Sequence, residues 1–389
     1  MWKGEELLAF VPDDSERKID WKAIENSSFK PWIHDMKQTQ QNPRWHGEGD
    51  VWTHTKMVCE SLIQLQGYRS VERKKQEILF LTALLHDIGK IPCTRMEDGH
   101  WVSPKHTITG SKMARELLWK EYGFCGTSSR QQFRETICQL IRYHSVPAHI
   151  LEQEHPENRL LRMASSEKLL PDFTLDLLSI FVEADMKGRI SQDIRESLEL
   201  NEIFRLMAEE NECLNGAAVF STDYTEYACL SGRNVFRGQE LYDDTWGEIV
   251  LMSGLPGTGK DTWIAGHLPE YPVVSLDEIR KELHILPTEN QGVVVQKAKE
   301  LAKSYLRKQQ PFVWNATNLT ADLRGKLIQL FVNYKAKVRI VYLETDWETQ
   351  MSRNASRKEE VPLTVMEHMI KNMVPPEANE AHVVDWYCV

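Results

Sequence analysis

The sequence predicts two folded modules of different class, an all-α module followed by an α/β module with a mainly parallel sheet and an α-helical lid. Between about residues 50 and 210, apolar residues recur at helical spacing, as at Val51, Val58, Leu62 and Leu65. From about residue 247 onward, short apolar stretches alternate with amphipathic ones, a pattern typical of parallel strands joined by helices. The length of 389 residues accommodates two or three domains, each with its own core.

The domain boundaries follow from these patterns. We expect the helical module over residues 1–194, a connector over 195–246 and the α/β module over 247–389. The strand candidates of the α/β module are 248–252, 272–276, 311–315 and 337–343. The connector begins with a helical stretch near 195–210. The rest of it contains Gly, Asn and Ser residues, and its pattern predicts neither helix nor strand.

The composition excludes several classes of protein. The chain has no apolar run of about 18 residues and no apolar leader, so we expect a cytoplasmic protein without membrane contact. Seven cysteines without a C-x-x-C pair indicate reduced thiols rather than a disulfide framework or a zinc ribbon. A net charge of −10 gives no general attraction to nucleic acid, so any polynucleotide contact must be local.

Imidazole and carboxylate groups fall on faces of the helical module that the apolar spacing predicts to be buried. They are His54, His86, Asp87, His144 and Asp185. A buried carboxylate without a cation or donor costs several kcal/mol, so Asp185 needs a partner. Carboxylates with imidazoles suit Mn²⁺, Fe²⁺, Ni²⁺, Co²⁺ or Zn²⁺. For His106 or His144 taken singly, a core histidine with ordinary hydrogen bonds is the alternative.

Five separated motifs of this module carry a family resemblance. They are "WHGEGDVWTH" (45–54), "HDIGK" (86–90), "KHTITGSKMA" (105–114), "LIRYHSVP" (140–147) and "ADMKGR" (184–189). Residues 43–190 thereby resemble the HD phosphohydrolase superfamily, and are similar to the HD domain of bacterial CCA-adding enzymes.

The resemblance to HD phosphohydrolases implies roles for these residues. The implied metal ligands are His54, His86, Asp87 and Asp185. They would hold a divalent transition metal, Mn²⁺, Ni²⁺, Co²⁺ or Zn²⁺, that activates water for attack on phosphorus. Lys90 is then expected to contact phosphate, and His106 and His144 to ligate a second metal or the substrate.

The stretch "SGLPGTGKDT" (253–262) fits a phosphate-binding loop except at one position. Gly254, Gly259 and Lys260 match G-x-x-x-x-G-K, but Asp261 stands where a Ser or Thr hydroxyl contacts Mg²⁺. The residues predicted to surround the phosphates are Gly254, Gly257, Thr258, Gly259, Lys260, Asp261 and Thr262. The loop predicts binding of an NTP with Mg²⁺ but does not identify the acceptor.

Two roles remain open for Asp261. Our hypothesis is that Asp261 supplies a hard oxygen ligand to Mg²⁺, directly or through water. Alternatively it complements the helix dipole and caps the first turn, while Thr262 takes over the hydroxyl role.

Further polar residues of the α/β module point to an acceptor site. Asp277 ends the second strand candidate, where an Asp could deprotonate an attacking hydroxyl, and the alternative is an N-cap for a helix beginning at Glu278. Arg353 and Arg357 are four residues apart, so they share a helical face that could close over phosphates as a lid. A solvated charged face is the alternative for each arginine.

The order of these motifs resembles the polynucleotide kinase branch of P-loop kinases over about residues 247–375. The stretches "WNATNLTADLRGKLI" (314–328) and "RNASRKEEVP" (353–362) are the remaining motifs that carry this resemblance. The resemblance implies that Asp277 is the general base for a 5′-hydroxyl. It implies acceptor contacts from Arg280, Asn318 and Arg324, and contacts of Lys260, Arg353 and Arg357 to the NTP phosphates and the transition state.

The two modules in this order are similar to bifunctional HD-Pnk RNA repair enzymes. That similarity implies phosphorylation of 5′-hydroxyl ends with ATP or GTP, and removal of 2′,3′-cyclic, 2′- and 3′-phosphate ends. The expected partners are RNA or DNA ends, an NTP and a downstream ligase, with the oligomeric state open. The alternatives are a nucleoside or nucleotide kinase fused to an HD-type nucleotidase, and an HD module that binds or regulates without turnover.

Overall fold

The computed structural model describes residues 2–13, 18–286, 289–357 and 359–389. The chain splits into two compact units, Met1–Phe124 with Ser129–Ala218, and Cys125–Ser128 with Val219–Val389. The stretch predicted as a connector is thus divided, since 195–218 belongs to the first unit and 219–246 to the second. Among the described helices, none is both long and apolar enough to cross a bilayer.

Helices dominate the chain up to residue 210. They are α1 (Gly4–Leu8), α2 (Trp21–Glu25), α3 (Lys30–Gln38), α4 (Val51–Leu62), α5 (Gln66–Ser70), α6 (Arg73–Leu85), α7 (Lys90–Cys93), α8 (His106–Lys120), α9 (Ser128–Tyr143), α10 (Pro156–Ala164), α11 (Leu175–Lys187) and α12 (Ile194–Glu210). Two 3₁₀ helices, Pro147–Glu152 and Ser165–Lys168, and a small antiparallel hairpin, β1 (Arg95–Glu97) and β2 (His100–Val102), lie between them.

Three of these helices, α4, α6 and α11, pack against one another and form the centre of the first unit. The second half of α6, from Ile78 to Leu85, is buried at every position because neighbours surround it. Side chains cap the other two helices: Asp50 accepts from the Thr53 amide at 2.9 Å, and Thr174 accepts from the Leu177 amide at 3.0 Å. Residues that follow α6 therefore enter the interior of the unit.

The second unit is built on a five-stranded parallel sheet of order β4-β5-β3-β6-β7. Its elements are α13 (Asp223–Leu230), β3 (Glu248–Ser253), α14 (Lys260–His267), β4 (Val273–Ser275), α15 (Leu276–Glu282), α16 (Gly292–Arg307), β5 (Phe312–Asn315), α17 (Ala321–Val332), β6 (Lys337–Glu344), α18 (Trp347–Ala355), α19 (Leu363–Asn372) and β7 (Val383–Cys388). The predicted fold class is confirmed. The edge strand β7 was not among the predicted strands.

The central strand β3 shows why the sheet is covered on both faces. Ile249 and Leu251 belong to one apolar cluster, whereas Val250 and Met252 belong to another. Successive side chains of a strand point to opposite faces, so the four residues fill two separate cores. All four are fully buried, as expected for a parallel sheet with helices on both sides.

A buried ion pair fixes the segment that leads into β7. The Arg324 side chain on α17 is fully buried, and its Nε and Nη2 donate to the two Glu380 carboxylate oxygens at 2.7 Å each. Its Nη1 donates to the backbone oxygens of Asn318 at 3.0 Å and Val374 at 2.9 Å. One guanidinium therefore joins α17, the loop after β5 and the chain before β7.

Removing the Glu380 carboxylate should lower the stability of the second unit, because the charge of Arg324 is buried. We expect Glu380→Ala to lower the free energy of unfolding of the second unit by about 3–5 kcal/mol, because Arg324 would keep a buried charge without a partner. Denaturant titration measures this loss. Lys326→Ala, which breaks an exposed ion pair with Asp322 on the same helix, is the control and should cost under about 1 kcal/mol. Equal losses in both variants would contradict this role of Glu380.

Candidate functional site

Elements distant in the sequence of the first unit bring imidazoles and carboxylates to one buried point. His54 comes from α4, His86 and Asp87 follow α6, and Asp185 lies near the end of α11. All four side chains are buried. The structure thus assembles the four residues that the sequence predicted as metal ligands.

The backbone fixes which imidazole nitrogen faces this point. The Nδ1 atom of His86 lies 2.8 Å from the Ala83 carbonyl oxygen. The Nδ1 atom of His54 lies 2.9 Å from a Glu48 carboxylate oxygen and 3.2 Å from the Gly188 carbonyl oxygen. Carbonyl and carboxylate oxygens only accept, so we assign the proton of each neutral ring to Nδ1 and a lone pair to Nε2.

These lone pairs face one another and the carboxylates. The two Nε2 atoms of His54 and His86 are 3.3 Å apart. An Asp185 oxygen lies 3.1 Å from the former, and an Asp87 oxygen lies 3.2 Å from the latter. The other Asp87 oxygen, Oδ1, is buried without a hydrogen-bond partner. Two imidazole lone pairs and two carboxylates that face one point form a donor set that fits a divalent cation.

The local charges keep both carboxylates ionised. Burial opposes ionisation of Asp87, but its electrostatic interactions with the adjacent His86 ring and with the Lys90 ammonium hold its pKa well below the usual range. Burial also opposes ionisation of Asp185, and Arg189, whose Nη2 lies 3.0 Å from Oδ2, holds that pKa well below its usual range. The carboxylates therefore enter the site in the form that a metal requires.

Two further histidines extend the cluster toward a cavity of about 150 Å³. The Nδ1 atoms of His106 and His144 lie 2.9 and 2.7 Å from the carbonyl oxygens of Ser103 and Ile141, so their Nε2 atoms are also left as acceptors. Burial lowers the pKa of both rings, that of His144 to about 3. With Asp87 they form a second group able to hold a cation. Lys90 also lines the cavity, and its Nζ lies 2.7 Å from an Asp87 oxygen.

The sequence prediction missed Glu48 and His46, although both lie in the quoted lead-in motif. The buried Glu48 carboxylate lies 2.9 Å from Nδ1 of both His54 and His46, and its other oxygen accepts from the Ile190 amide at 2.9 Å. Although burial opposes ionisation, the hydrogen bonds from His46 and His54 hold the Glu48 pKa well below its usual range. Residues in a loop have no helical periodicity, so spacing alone gave no sign of this contact.

In the second unit, the phosphate-binding loop joins β3 to α14, as predicted. Gly254 has φ 143°, and a Cβ built there would lie 2.5 Å from the Leu343 carbonyl oxygen, so this position requires glycine. The Lys260 ammonium donates to the backbone oxygens of Gly254 at 3.0 Å and Leu255 at 2.7 Å. Burial lowers the Lys260 pKa to about 8, against the opposing charges of Asp261 and Asp277.

The side chains of the loop differ in what they contact. An Asp261 carboxylate oxygen accepts from the side-chain amide of Asn315, the last residue of β5, at 2.6 Å. Thr262 is exposed. Thr258 is buried and donates to the Leu255 carbonyl at 2.9 Å, so its hydroxyl supports the loop itself. Asn315 was not among the predicted site residues.

Asp277 lies at the carboxyl edge of the sheet. Helix α15 begins at Leu276, and its N-cap is Ser275, whose hydroxyl accepts from the Glu278 amide at 3.3 Å. The alternative of an Asp277 N-cap is therefore wrong. The Asp277 side chain is 63% exposed and lies 2.5 Å from Nη1 of Arg280, whose Nε donates to the Gln291 side chain at 2.8 Å. The two charged groups therefore form an ion pair that is open to solvent on its carboxylate side.

The predicted lid arginines lie on and after α18. Gln350 of this helix donates to the Pro256 carbonyl at 2.5 Å, which attaches the helix to the phosphate-binding loop. Arg353 Nη1 lies 3.9 Å from the position of a Cβ built on Gly259. The charge of Arg357 contributes to lowering the Lys260 pKa. Both guanidinium groups therefore lie near the loop that would hold phosphates.

The side chains of two predicted acceptor residues, Asn318 and Arg324, are buried beside this edge rather than exposed on it. Asn318 is buried and donates from its side chain to the Met252 carbonyl at 2.7 Å. The Arg324 guanidinium is hydrogen-bonded to Glu380 and to two backbone carbonyls. In this structure both side chains hold the loop after β5, because their polar groups are already paired inside the unit.

Comparison with known proteins identifies both modules. The chain matches the HD domain family over residues 51–169 and an AAA domain family, AAA_33, over residues 249–376. It is 23% identical over 183 residues to the bifunctional uridylyltransferase/uridylyl-removing enzyme of Streptomyces coelicolor, covering 46% of this chain and 20% of the relative. It is 24% identical over 148 residues to human heterogeneous nuclear ribonucleoprotein U-like protein 2, covering 33% of this chain and 20% of the relative. The matches thus span about a fifth of each curated relative.

Among solved structures, the chain is similar to a protein of Chloroflexus aurantiacus proposed to be a kinase. The identity is 14%, and the match covers 37% of this chain and 86% of that protein. The TM-score is 0.32, which is too low to compare the two folds in detail.

The contact between Glu48 and His54 gives a test of the metal centre. We expect Glu48→Gln to weaken divalent-metal binding by about 10- to 100-fold, because a neutral amide accepts from His54 Nδ1 less strongly than a carboxylate and no longer raises the basicity of the ring. Titration of chelator-treated protein with Mn²⁺ measures the affinity. Glu183→Gln, which changes a half-exposed acid on α11, is the matched control and should bind metal as the unchanged chain does. An unaltered affinity in Glu48→Gln would show that this carboxylate does not support a metal ligand.

Proposed function

We propose that this chain, which joins an HD domain to a P-loop kinase-like domain, heals the ends of broken RNA strands. The kinase-like domain transfers the γ-phosphate of an NTP to a 5′-hydroxyl end. The HD domain opens a 2′,3′-cyclic phosphate and removes the resulting 2′- or 3′-phosphate. A ligase could then join the two healed ends.

The observation that carries the proposal is the open pair of Asp277 and Arg280. Asp277 acts electrostatically on Lys260, so it lies near the phosphate-binding loop, yet its carboxylate is accessible to a large acceptor. The guanidinium beside it attracts an anion next to the attacked hydroxyl, and a polynucleotide end supplies such a phosphate where a nucleoside does not. This combination favours a polynucleotide acceptor.

The kinase step uses residues of one sheet edge. The loop amides and Lys260 hold the β- and γ-phosphates. The acceptor oxygen forms a bond to the γ-phosphorus as the bond to the leaving NDP oxygen breaks, and the hydroxyl proton passes to the Asp277 carboxylate. Arg353 and Arg357 lie near the loop, where they neutralise the charge that develops on the phosphoryl group.

The HD step would use the four buried ligands of the first unit. A divalent cation bound there supplies Lewis acidity toward a phosphate and acidifies water. Lys90 and Arg189 are the cations beside the two carboxylates, and both line the cavity through which a phosphate would enter. His106 and His144 present neutral acceptor nitrogens to the same cavity. These side chains bind and orient a phosphoryl group.

A kinase fused to a nucleotidase in nucleotide metabolism is the second candidate. The net charge of −10 favours it, because the chain has no general attraction for polyanions. Acceptor length separates the two functions: a polynucleotide kinase prefers a 3′-phosphorylated nucleotide or an oligomer to a nucleoside. A non-catalytic HD module is disfavoured by the complete set of converging ligands.

The two activities should be separable by substitution. With an RNA bearing a 5′-hydroxyl and a 2′,3′-cyclic phosphate, plus NTP, Mg²⁺ and Mn²⁺, Asp277→Ala should slow 5′ phosphorylation at least about 10²-fold and leave the 3′ reaction intact. Asp87→Ala should do the reverse, because it removes a metal ligand from the other unit. Glu278→Ala, an exposed neighbour of Asp277, is the control and should change neither reaction. Gel analysis of both ends provides the measurement, and an RNA unchanged at either end contradicts the proposal.

The changed position of the phosphate-binding loop has its own test. We propose that Asp261, oriented by Asn315, contacts Mg²⁺ directly or through water, so Asp261→Ala should raise the Mg²⁺ concentration for half-maximal kinase activity about tenfold. Asn315→Ala should produce a smaller shift in the same direction. Thr262→Ala tests the alternative, in which its hydroxyl does this work. An unchanged Mg²⁺ requirement in Asp261→Ala would eliminate the ligand role.

A further inference from the structure

Residues 219–246 form an ordered surface of the second unit that neither family match includes. The HD match ends at 169 and the AAA match begins at 249. Thr225 of α13 holds the segment together: its hydroxyl donates to the Gln239 carbonyl at 2.7 Å and accepts from the Leu241 amide at 3.2 Å. Neither candidate catalytic cluster uses any residue of this segment.

Two adjoining cavities open on this surface, with volumes of about 340 and 250 Å³. They share a wall made of Tyr224, Leu241 and His382. On one side the wall faces Arg233, Lys335 and Asp244, and on the other it faces Lys337 and Asp243. Each cavity therefore combines the same aromatic wall with at least one cation and one carboxylate.

The wall is an uncharged and mainly aromatic surface. The His382 ring stacks on Tyr227, with centroids 3.6 Å apart, and lies within 18° of parallel to Tyr224. Its Nδ1 accepts from the Val338 amide at 3.1 Å, so the proton of the neutral ring is on Nε2. Burial and the charge of Lys337 lower the His382 pKa to about 4. Flat neutral rings with a hydrogen-bond donor are suited to stacking with nucleobases.

Three carboxylates line the two cavities, and two of them are already paired. The third, Asp223, is exposed in the first turn of α13, where the helix dipole offsets its charge. Asp243 is occupied by the backbone amide and hydroxyl of Thr245, at 3.0 and 2.7 Å. Asp244 is paired with Lys335 at 2.5 Å on the surface, where solvent screens the pair and allows exchange. The other cations at the two cavities are Lys337 and Arg233, whose Nη1 donates to the Tyr224 hydroxyl at 3.3 Å and which lies beside the Tyr224 ring. In a chain of net charge −10, such local cations are where a polyanion would bind.

The two cavities lie at the sheet edge opposite the kinase site. Lys337 begins β6 and Lys335 lies two residues before it, whereas Leu343, near the end of β6, contacts the phosphate-binding loop at Gly254. The eight residues of β6 span roughly 25 Å at the usual rise of a strand. A ligand that occupies both places must therefore be an oligomer of several nucleotides.

We propose that the two cavities bind successive nucleotides of a single-stranded polynucleotide whose 5′ end lies in the kinase site. The bases stack on the wall of Tyr224 and His382, and Arg233, Lys335 and Lys337 contact the phosphates. This inference rests on the proposed function, since it deepens the acceptor class of the same kinase. A free nucleotide has the same chemistry and is the alternative occupant.

Binding of an unreactive oligomer tests the inference without any catalysis. A 5′-phosphorylated, 3′-hydroxyl 12-mer RNA should bind Tyr224→Ala and Lys337→Ala about 5- to 100-fold more weakly than it binds the unchanged chain, as measured by fluorescence anisotropy. Tyr224→Phe, which keeps the aromatic face, should bind normally. Arg307→Ala, an exposed cation on α16, is the charge control and should also bind normally.

The outcomes separate this inference from the proposed function. Kinase activity on a 3′-phosphorylated mononucleotide should be unchanged in Tyr224→Ala, which also shows that the variant is folded. Equal 12-mer affinity in Tyr224→Ala and the unchanged chain would overturn the inference while leaving RNA end healing intact. Competition by a free mononucleotide as strong as that by the 12-mer would overturn the polynucleotide version in favour of a nucleotide pocket. Kinase activity absent on every polynucleotide end would refute the proposed function, with the binding result still readable.

Discussion

Two carboxylates, Asp87 and Asp185, are buried in the middle of the first unit, and the rest of that unit is arranged around this constraint. Burying an anion is costly unless a positive charge shares the site. The surrounding backbone carbonyls and Glu48 hold the histidine N–H groups outward, which turns the Nε2 lone pairs of His54 and His86 toward the carboxylates. The packing of α4, α6 and α11 brings these ligand atoms within a few ångströms of one another.

The second unit meets a different constraint, since a parallel sheet directs its polar residues to one edge. The phosphate-binding loop follows β3, Asp277 follows β4, and Asn315 is the last residue of β5. These three strands are neighbours in the sheet. The buried pair of Arg324 and Glu380 fixes the backbone of the loop after β5, which lies beside this edge. The first unit therefore brings together groups that suit a cation, and the second unit brings together groups that suit an anion. Each suits one of the two phosphoryl reactions proposed here.

Periodicity and motif spacing predicted the fold and most of the site. They placed four strands to within two residues and found His54, His86, Asp87 and Asp185, because buried helical faces leave a repeating signal. They did not find β7, a short edge strand, or Glu48, a loop residue that acts through a distant partner. Arg324 was predicted as an acceptor contact from its motif, but its guanidinium pairs with the Glu380 carboxylate inside the unit. The sequence alone does not distinguish an arginine that contacts a ligand from one that pairs with a buried carboxylate. Contacts between distant segments account for these differences.

The central claim is that the imidazole and carboxylate cluster is a metal centre, and anomalous diffraction tests it most directly. Crystals soaked in Mn²⁺ or Zn²⁺ and measured at the metal edge should show a peak bonded to Nε2 of His54 and His86 and to oxygens of Asp87 and Asp185, at roughly 2.0–2.3 Å. Crystals of Asp87→Ala prepared in the same way should lack it. The claim is contradicted if soaked crystals of the unchanged chain show no anomalous density at these four side chains.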